Sequence, residues 1–165
     1  MGRQMNPTGI MTNIAKILPL TNVVLNLEVS SKKRAFEQAG LIFENNSGIA
    51  RSIVSENLFA RERLGSTGLG HGVAIPHGRI KGLKKPVAAF IRLAEPIPFE
   101  SPDSEPVHLL IFLLMPDNVT KQHLAILAEI AELFSDSSIR TELTNETDPV
   151  AVHNLIMAWQ PQITA

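Results

Sequence analysis

The sequence predicts a single α/β domain with helices on both faces of a mixed sheet. Three observations lead there. Short β-branched or apolar runs alternate with segments whose apolar residues recur at helical spacing. One run, Val107 to Met115, is almost continuously apolar, as expected for a central strand covered on both faces. The 165 residues, 44% hydrophobic and 19% charged, match one globular domain with a sizeable core. Alternating elements of this kind pack as layers, with helices against a sheet.

Residues 1–15 mix Gly, Asn, Pro and Thr with little periodicity and read as a flexible leader. The domain then spans 16–160, and 161–165 form a tail. Val23 to Leu27 is a short candidate strand. Ser30 or Ser31 can cap a helix that places Ala35, Phe36, Ala39 and Phe43 inward and stops at Gly48. A second helix is expected from Ile49 to Leu64, with Ile53, Val54, Leu58 and Phe59 inward and Gly65 closing it. Strands are expected at Val87 to Leu93 and Val107 to Met115. Pro96, Pro98, Pro102 and Pro106 preclude a regular helix between them. An amphipathic helix follows from Thr120 to Phe134, with Leu124, Leu127, Ala128, Ala131 and Phe134 as its apolar stripe. Two shorter helices, Ser137 to Leu143 and Asp148 to Trp159, finish the chain.

Charge and composition narrow the function. The net charge of −1, with both signs interspersed, gives no field for nucleic acid or an anionic membrane. Cysteine is absent, which removes disulfides, thiolate metal sites and cysteine nucleophiles. No stretch approaches the ~20 apolar residues of a membrane helix. The chain reads as a soluble cytoplasmic protein with no direct membrane insertion.

The most unusual segment runs from Ser66 to Gly78, with four glycines in the eleven residues from Gly68 to Gly78. Such a backbone either approaches something closely or turns where side chains would clash. Within it His77 stands between Pro76, which fixes its own φ, and Gly78, which removes bulk beside the ring. A neutral imidazole so presented is a good nucleophile toward phosphorus near neutral pH. On spacing alone, a polar turn residue is an equal reading. His123 falls in the first turn of the helix that Thr120 would cap. There, free backbone N–H groups favour an anion, and the neutral ring can donate to a phosphoryl oxygen. A solvated first-turn histidine is the alternative. Arg61 ends the helix that enters the loop, and can either grip phosphate oxygens bidentately or complement its helix C-terminus. Ser66 and Thr67 offer hydroxyls and amides at the loop entrance, or ordinary turn chemistry. His71, borne on the same loop, is expected to border the same site, whereas His108 and His153 read as structural.

Other chemistries fail on residue content. No Gly-Lys-Ser/Thr follows the glycines, so this is no Walker A loop, and the dinucleotide pattern is missing too. No histidine pair has the i, i+4 spacing of a zinc helix. A two-histidine metal site between His77 and His123 remains geometrically possible, as the less favoured reading.

The run Ala60-Arg61-Glu62-Arg63-Leu64-Gly65-Ser66-Thr67-Gly68-Leu69-Gly70, continuing to Val73-Ala74-Ile75-Pro76-His77-Gly78, resembles the IIA component of the phosphoenolpyruvate-dependent phosphotransferase system. The resemblance is to the fructose/mannitol type, and within it to the nitrogen-regulatory branch. It extends from about Leu18 to the C-terminus and includes Thr120-Lys121-Gln122-His123-Leu124. It implies a mixed five-stranded sheet between helices, and neither a metal nor an organic cofactor. His77 would be phosphorylated on Nε2 by an HPr-like phosphocarrier, with His123 and Arg61 lining the phosphate site. Regulatory target proteins would then sense the phosphorylation state, in regulation of the nitrogen/potassium type. Two alternatives accompany this reading: a sugar-transport IIA that hands phosphate to a IIB partner, and a non-catalytic binding module. At the position of His71, mannitol-type members carry an acidic residue and regulatory members often asparagine. The chain matches neither.

Overall fold

The computed structural model describes residues 11–118 and 120–162. Six helices and six strands follow in the order α1 (Asn13–Ile17), β1 (Val23–Leu27), α2 (Lys32–Ser47), α3 (Arg51–Glu62), β2 (Gly68–Gly70), β3 (Val73–Ala74), β4 (His77–Ile80), β5 (Val87–Ile97), β6 (Val107–Pro116), α4 (Lys121–Ser135), α5 (Ser137–Asn145) and α6 (Pro149–Ala158). The single mixed sheet runs β1-β5-β6-β3-β2, with β4 pairing β6 beyond the end of β3. It therefore has six strands, not five. Three of the six, β2, β3 and β4, are short strands formed by the glycine-rich segment.

β6 is the axis of the sheet. It pairs antiparallel with β5 and parallel with both β3 and β4. Its side chains alternate between two cores, as a strand covered on both faces requires. Leu109, Ile111, Leu113 and Met115 face one layer with Ile126, Ile130 and Leu133 of α4. Leu110, Phe112 and Leu114 face the other with Phe36, Phe43, Val54 and Leu58 of α2 and α3. Each fully buried aliphatic or aromatic side chain of this kind contributes about 1.5–3 kcal/mol relative to exposure. β5 continues past the expected Leu93 to Ile97, and Pro96 falls where its register with β6 slips, between Arg92 and Ile97.

Local signals set most boundaries. Ser31 caps α2 by accepting from the Arg34 amide, and Gly48 ends it at φ 70°. Asp136 and Asp148 cap α5 and α6 with their carboxylates. Packed structure begins ahead of residue 16: α1 spans Asn13–Ile17, Thr12 caps it, and Ile14 is fully buried in the core. The part of the expected leader over residues 1–10 lies outside the described residues, as do residues 163–165 of the tail.

Two helical faces differ from expectation. In α4 the buried residues are His123, Ile126, Ile130, Leu133 and Phe134, while Leu124 is 65% exposed. Apolar residues surround most of this helix, so periodicity offered two overlapping stripes, and docking on the sheet selected the one that buries His123. In α3, Val54 and Leu58 are buried but Ile53 is exposed. Among the described residues no helix is long and apolar enough to cross a membrane.

Candidate functional site

β4 begins at His77, and His77 pairs with Leu113 near the C-terminal end of β6. Residues in register on adjacent strands point the same way, so His77 lies on the face that Leu113 shares with Ile75 and α4. Gly78 points to the opposite face, against the backbone of Asn57 in α3, where a Cβ would stand 3.1 Å from the Asn57 carbonyl group. That close approach is why glycine follows the histidine.

The ring of His77 is part-buried, and its Nδ1–H donates to the Ile75 carbonyl at 2.9 Å. Only the tautomer protonated on Nδ1 can make this bond, so Nε2 keeps its lone pair. Burial holds the His77 pKa below the ordinary histidine value. The Ile75 carbonyl opposes that shift, the Arg61 charge adds to it, Glu62 opposes it, and Arg79 adds to it. The result is a neutral imidazole that feels the positive charges of Arg61 and Arg79, a setting suited to attack on an electrophile that brings negative charge.

Arg61 lies in the last turn of α3, and its Nη1 donates to the Gly65 carbonyl at 2.8 Å. This bond ties the arginine to the loop it precedes. His123 lies in the first turn of α4, one turn before Ile126, on the helix face that packs against the same side of the sheet as His77. α4 starts shortly after the C-terminal end of β6, the end at which His77 pairs. The two histidines thus share one layer and one end of the fold. Thr120 is the N-cap residue as expected, although its side chain makes no capping hydrogen bond.

Ser66 and Thr67 make turn contacts of the kind that the sequence allows. The Ser66 hydroxyl donates to the Phe99 carbonyl at 2.7 Å and accepts from the Gly68 amide at 3.1 Å. The Thr67 hydroxyl and amide both go to the carboxylate of Glu62, at 2.6 and 3.0 Å. Both hydroxyl protons are committed to protein acceptors, so these side chains hold the loop. Glu62 and Arg79 carry no local signal that singles them out in the sequence. Glu62 is one more charge in Arg-Glu-Arg, and Arg79 becomes relevant only once β4 is a strand that carries it two residues beyond His77.

His71 does not border this site. It sits at φ 57° between Gly70 at φ 89° and Gly72 at φ 79°, in the turn from β2 to β3. Its amide donates to Asp103, and the next carbonyl, of Gly72, accepts from His108 and Leu109 near the start of β6. His108 and His153 are structural as expected. The Nε2–H of His108 donates to Thr144, whose own proton goes to Arg140, and the Nε2–H of His153 donates to the Leu18 carbonyl. Among the described residues no group of three or more His, Asp or Glu side chains is arranged to hold a metal ion.

The family model described as "Phosphoenolpyruvate-dependent sugar phosphotransferase system, EIIA 2" matches residues 16–159. The chain belongs to this family. A nitrogen regulatory protein of Pseudomonas aeruginosa is 36% identical over 91% of this chain and 98% of its own length. Another, of Bradyrhizobium diazoefficiens, is 38% identical over 90% of this chain and all of its own. The crystal structure of the nitrogen regulatory protein IIA-Ntr from Neisseria meningitidis superposes with a TM-score of 0.83 at 50% identity, covering 88% of this chain and 99% of that one. Mannitol IIA of Escherichia coli shares the fold, with a TM-score of 0.71 at 22% identity. This IIA chain is accordingly a phosphocarrier component of a phosphotransferase system.

Proposed function

We propose that this IIA chain accepts a phosphoryl group on Nε2 of His77 from an HPr-like phosphocarrier, and that its phosphorylation state regulates target proteins. The observation that carries the reading is the 2.9 Å bond from His77 Nδ1–H to the Ile75 carbonyl. With Nδ1 committed, the Nε2 lone pair forms the new N–P bond as the donor's bond to phosphorus breaks, and that electron pair stays with the donor. No proton has to leave His77, so the step needs no general base. Arg61 and Arg79 lie where their charges already act on the ring, and His123 shares its layer. These groups fit the role of stabilising charge on the transferring phosphoryl group.

The regulatory branch is favoured by relatives named nitrogen regulatory proteins at 36% and 38% identity over nearly the whole chain. The sugar-transport reading draws on a fructose-specific EIIA component of Haloferax volcanii, 28% identical over 88% of this chain. The purified chain, incubated with an HPr-like carrier, its loading enzyme and phosphoenolpyruvate, should gain one acid-labile, base-stable phosphate. His77→Ala should gain none. Labelling that persists in His77→Ala, or an acid-stable ester on Ser66 or Thr67, would overturn the assignment. Transfer onward to a sugar in the presence of IIB proteins would favour the transport reading over the regulatory one.

A further inference from the structure

We infer that Glu62 is a positioning residue for His77, acting through Thr67 and Ile75 to fix the imidazole in the tautomer that leaves Nε2 free. The inference deepens the assignment of His77 as phosphoryl acceptor and rests on that assignment for its functional half.

Glu62 stands where a carboxylate gains nothing for its own helix. It is the last residue of α3, at the end whose unpaired carbonyls repel negative charge. Its side chain is also only 5% exposed, and a buried carboxylate is costly unless it is paired and hydrogen-bonded. Both costs are met by what it holds. Oε1 accepts from the Thr67 hydroxyl at 2.6 Å, and Oε2 accepts from the Thr67 amide at 3.0 Å. Oε2 also receives the Lys32 ammonium at 3.0 Å, and that ammonium lies 4.3 Å from the centre of the Phe99 ring. Lys32 therefore neutralises Glu62 from α2, outside the loop, and leaves the carboxylate oxygens turned toward Thr67.

The effect is passed on by backbone bonds. The Thr67 carbonyl accepts from the Ile75 amide at 3.1 Å. The Ile75 carbonyl in turn accepts from Nδ1–H of His77. Thr67 is held at three points, by its hydroxyl, its amide and its carbonyl, so Ile75 meets a fixed partner where a loop would otherwise drift. A shift in Ile75 releases the His77 ring, and a released imidazole populates the Nε2–H tautomer, which presents a proton to the phosphorus instead of a lone pair. Positioning of this kind is where small displacements cost rate.

The test reads the ring directly. Long-range proton–nitrogen correlation spectra of the uniformly nitrogen-15 labelled chain, taken above the His77 titration, should show one tautomer, protonated on Nδ1. In Glu62→Ala the Nε2–H tautomer should become populated, and transfer from the phosphorylated carrier should slow by about ten-fold or more. Thr67→Val, which deletes only the hydroxyl, should move both readouts in the same direction by less. Thr67→Ser, which restores the hydroxyl, should regain the single-tautomer spectrum. An unchanged tautomer in a folded Glu62→Ala overturns the inference, even if transfer slows, because the effect then travels by another route. A changed tautomer with an unchanged rate overturns it equally. If Glu62→Ala does not fold, Glu62→Gln and Thr67→Val decide, and unchanged spectra in both overturn it. The spectra need no donor, so they judge Glu62 even if the wild-type chain takes no phosphate, a result that would sink the acceptor assignment instead.

Discussion

His71 and His77, both borne on the glycine-rich segment, stand at opposite ends of β6. The Gly72 carbonyl beside His71 accepts from the amides of His108 and Leu109, whereas His77 pairs with Leu113. Four strand positions separate those levels, about 13 Å at the usual rise per residue. His71 faces Asp103, whose carboxylate takes its amide at 2.9 Å and has a pKa below the usual range, chiefly through its hydrogen bonds to the His71 and Glu105 amides. The departure from the family pattern at this position is therefore a matter of the turn. His71→Asn should leave the rate of phosphoryl transfer within about two-fold of wild type, because surface charges at such separations are largely screened. A larger change in single-turnover rate would place the residue in the site after all.

His123→Ala and Arg61→Ala should each slow transfer to His77 while leaving it the sole acceptor. Losing one charge-assisted hydrogen bond costs roughly 1.5–3 kcal/mol, or about ten- to a hundred-fold in rate if felt in the transition state. Circular dichroism should report an intact fold in both. Wild-type rates in both variants would remove these residues from the site.

The pH dependence of the acceptor follows from the direction of its shift. His77 is held below its reference pKa of 6.5, mainly by burial. The nucleophile is the neutral ring, so accepting activity should be complete above the reference value and fall only as acid passes the lower folded pKa. A titration of the His77 ring signals should give a midpoint under 6.5. A midpoint at or above that value would contradict the burial argument.

Stability should follow the same sign. His77 and His108 both have folded pKa values below their unfolded ones, the latter through burial and then the charge of Arg92. Between the folded and unfolded values the unfolded chain binds more protons, so acid favours unfolding. Their contribution is complete above about pH 6.5 and is lost as pH falls through the folded values. Denaturant midpoints should decline from pH 7 to pH 5, and the decline should be shallower in His108→Gln. An equal slope in that variant would remove His108 from the account.

Gly72→Ala should destabilise the fold more than Gly48→Ala. Both glycines have positive φ, 79° and 70°. A Cβ at Gly72 would come within 2.7 Å of the His108 ring, whereas nothing lies within 4 Å of one at Gly48. Strain alone costs about 1–2 kcal/mol at a left-handed position, and displacing His108 from Thr144 should add to it at Gly72. Equal losses in urea unfolding would show that the His108 ring yields freely.

Much of the fold was legible in the residues. The central strand, a serine cap at Ser30 or Ser31 and the stop at Gly48 depend on neighbours a few positions away, and short-range chemistry writes them plainly. Glu62 shows the other case. Its carboxylate lies in the sequence between two arginines, where no local pattern singles it out. Only the fold pairs it with Lys32, thirty positions earlier, and with Thr67.

What the sequence determined by itself was the layered α/β class, the apolar core of β6, and His77, Arg61 and His123 as the residues worth asking about. Tertiary structure decided which face each element shows and which groups meet. It turned the glycine-rich segment into three strands, which sent His71 to one end of β6 and His77 toward the other. It chose the stripe of α4 that buries His123 instead of Leu124. It also spent the hydroxyl protons of Ser66 and Thr67 on Phe99 and Glu62. The physical reason is the same in each instance. Strand pairing and helix docking are settled by burial and hydrogen bonds between distant segments, and local periodicity supplies the candidate faces without the energy difference that selects one of them.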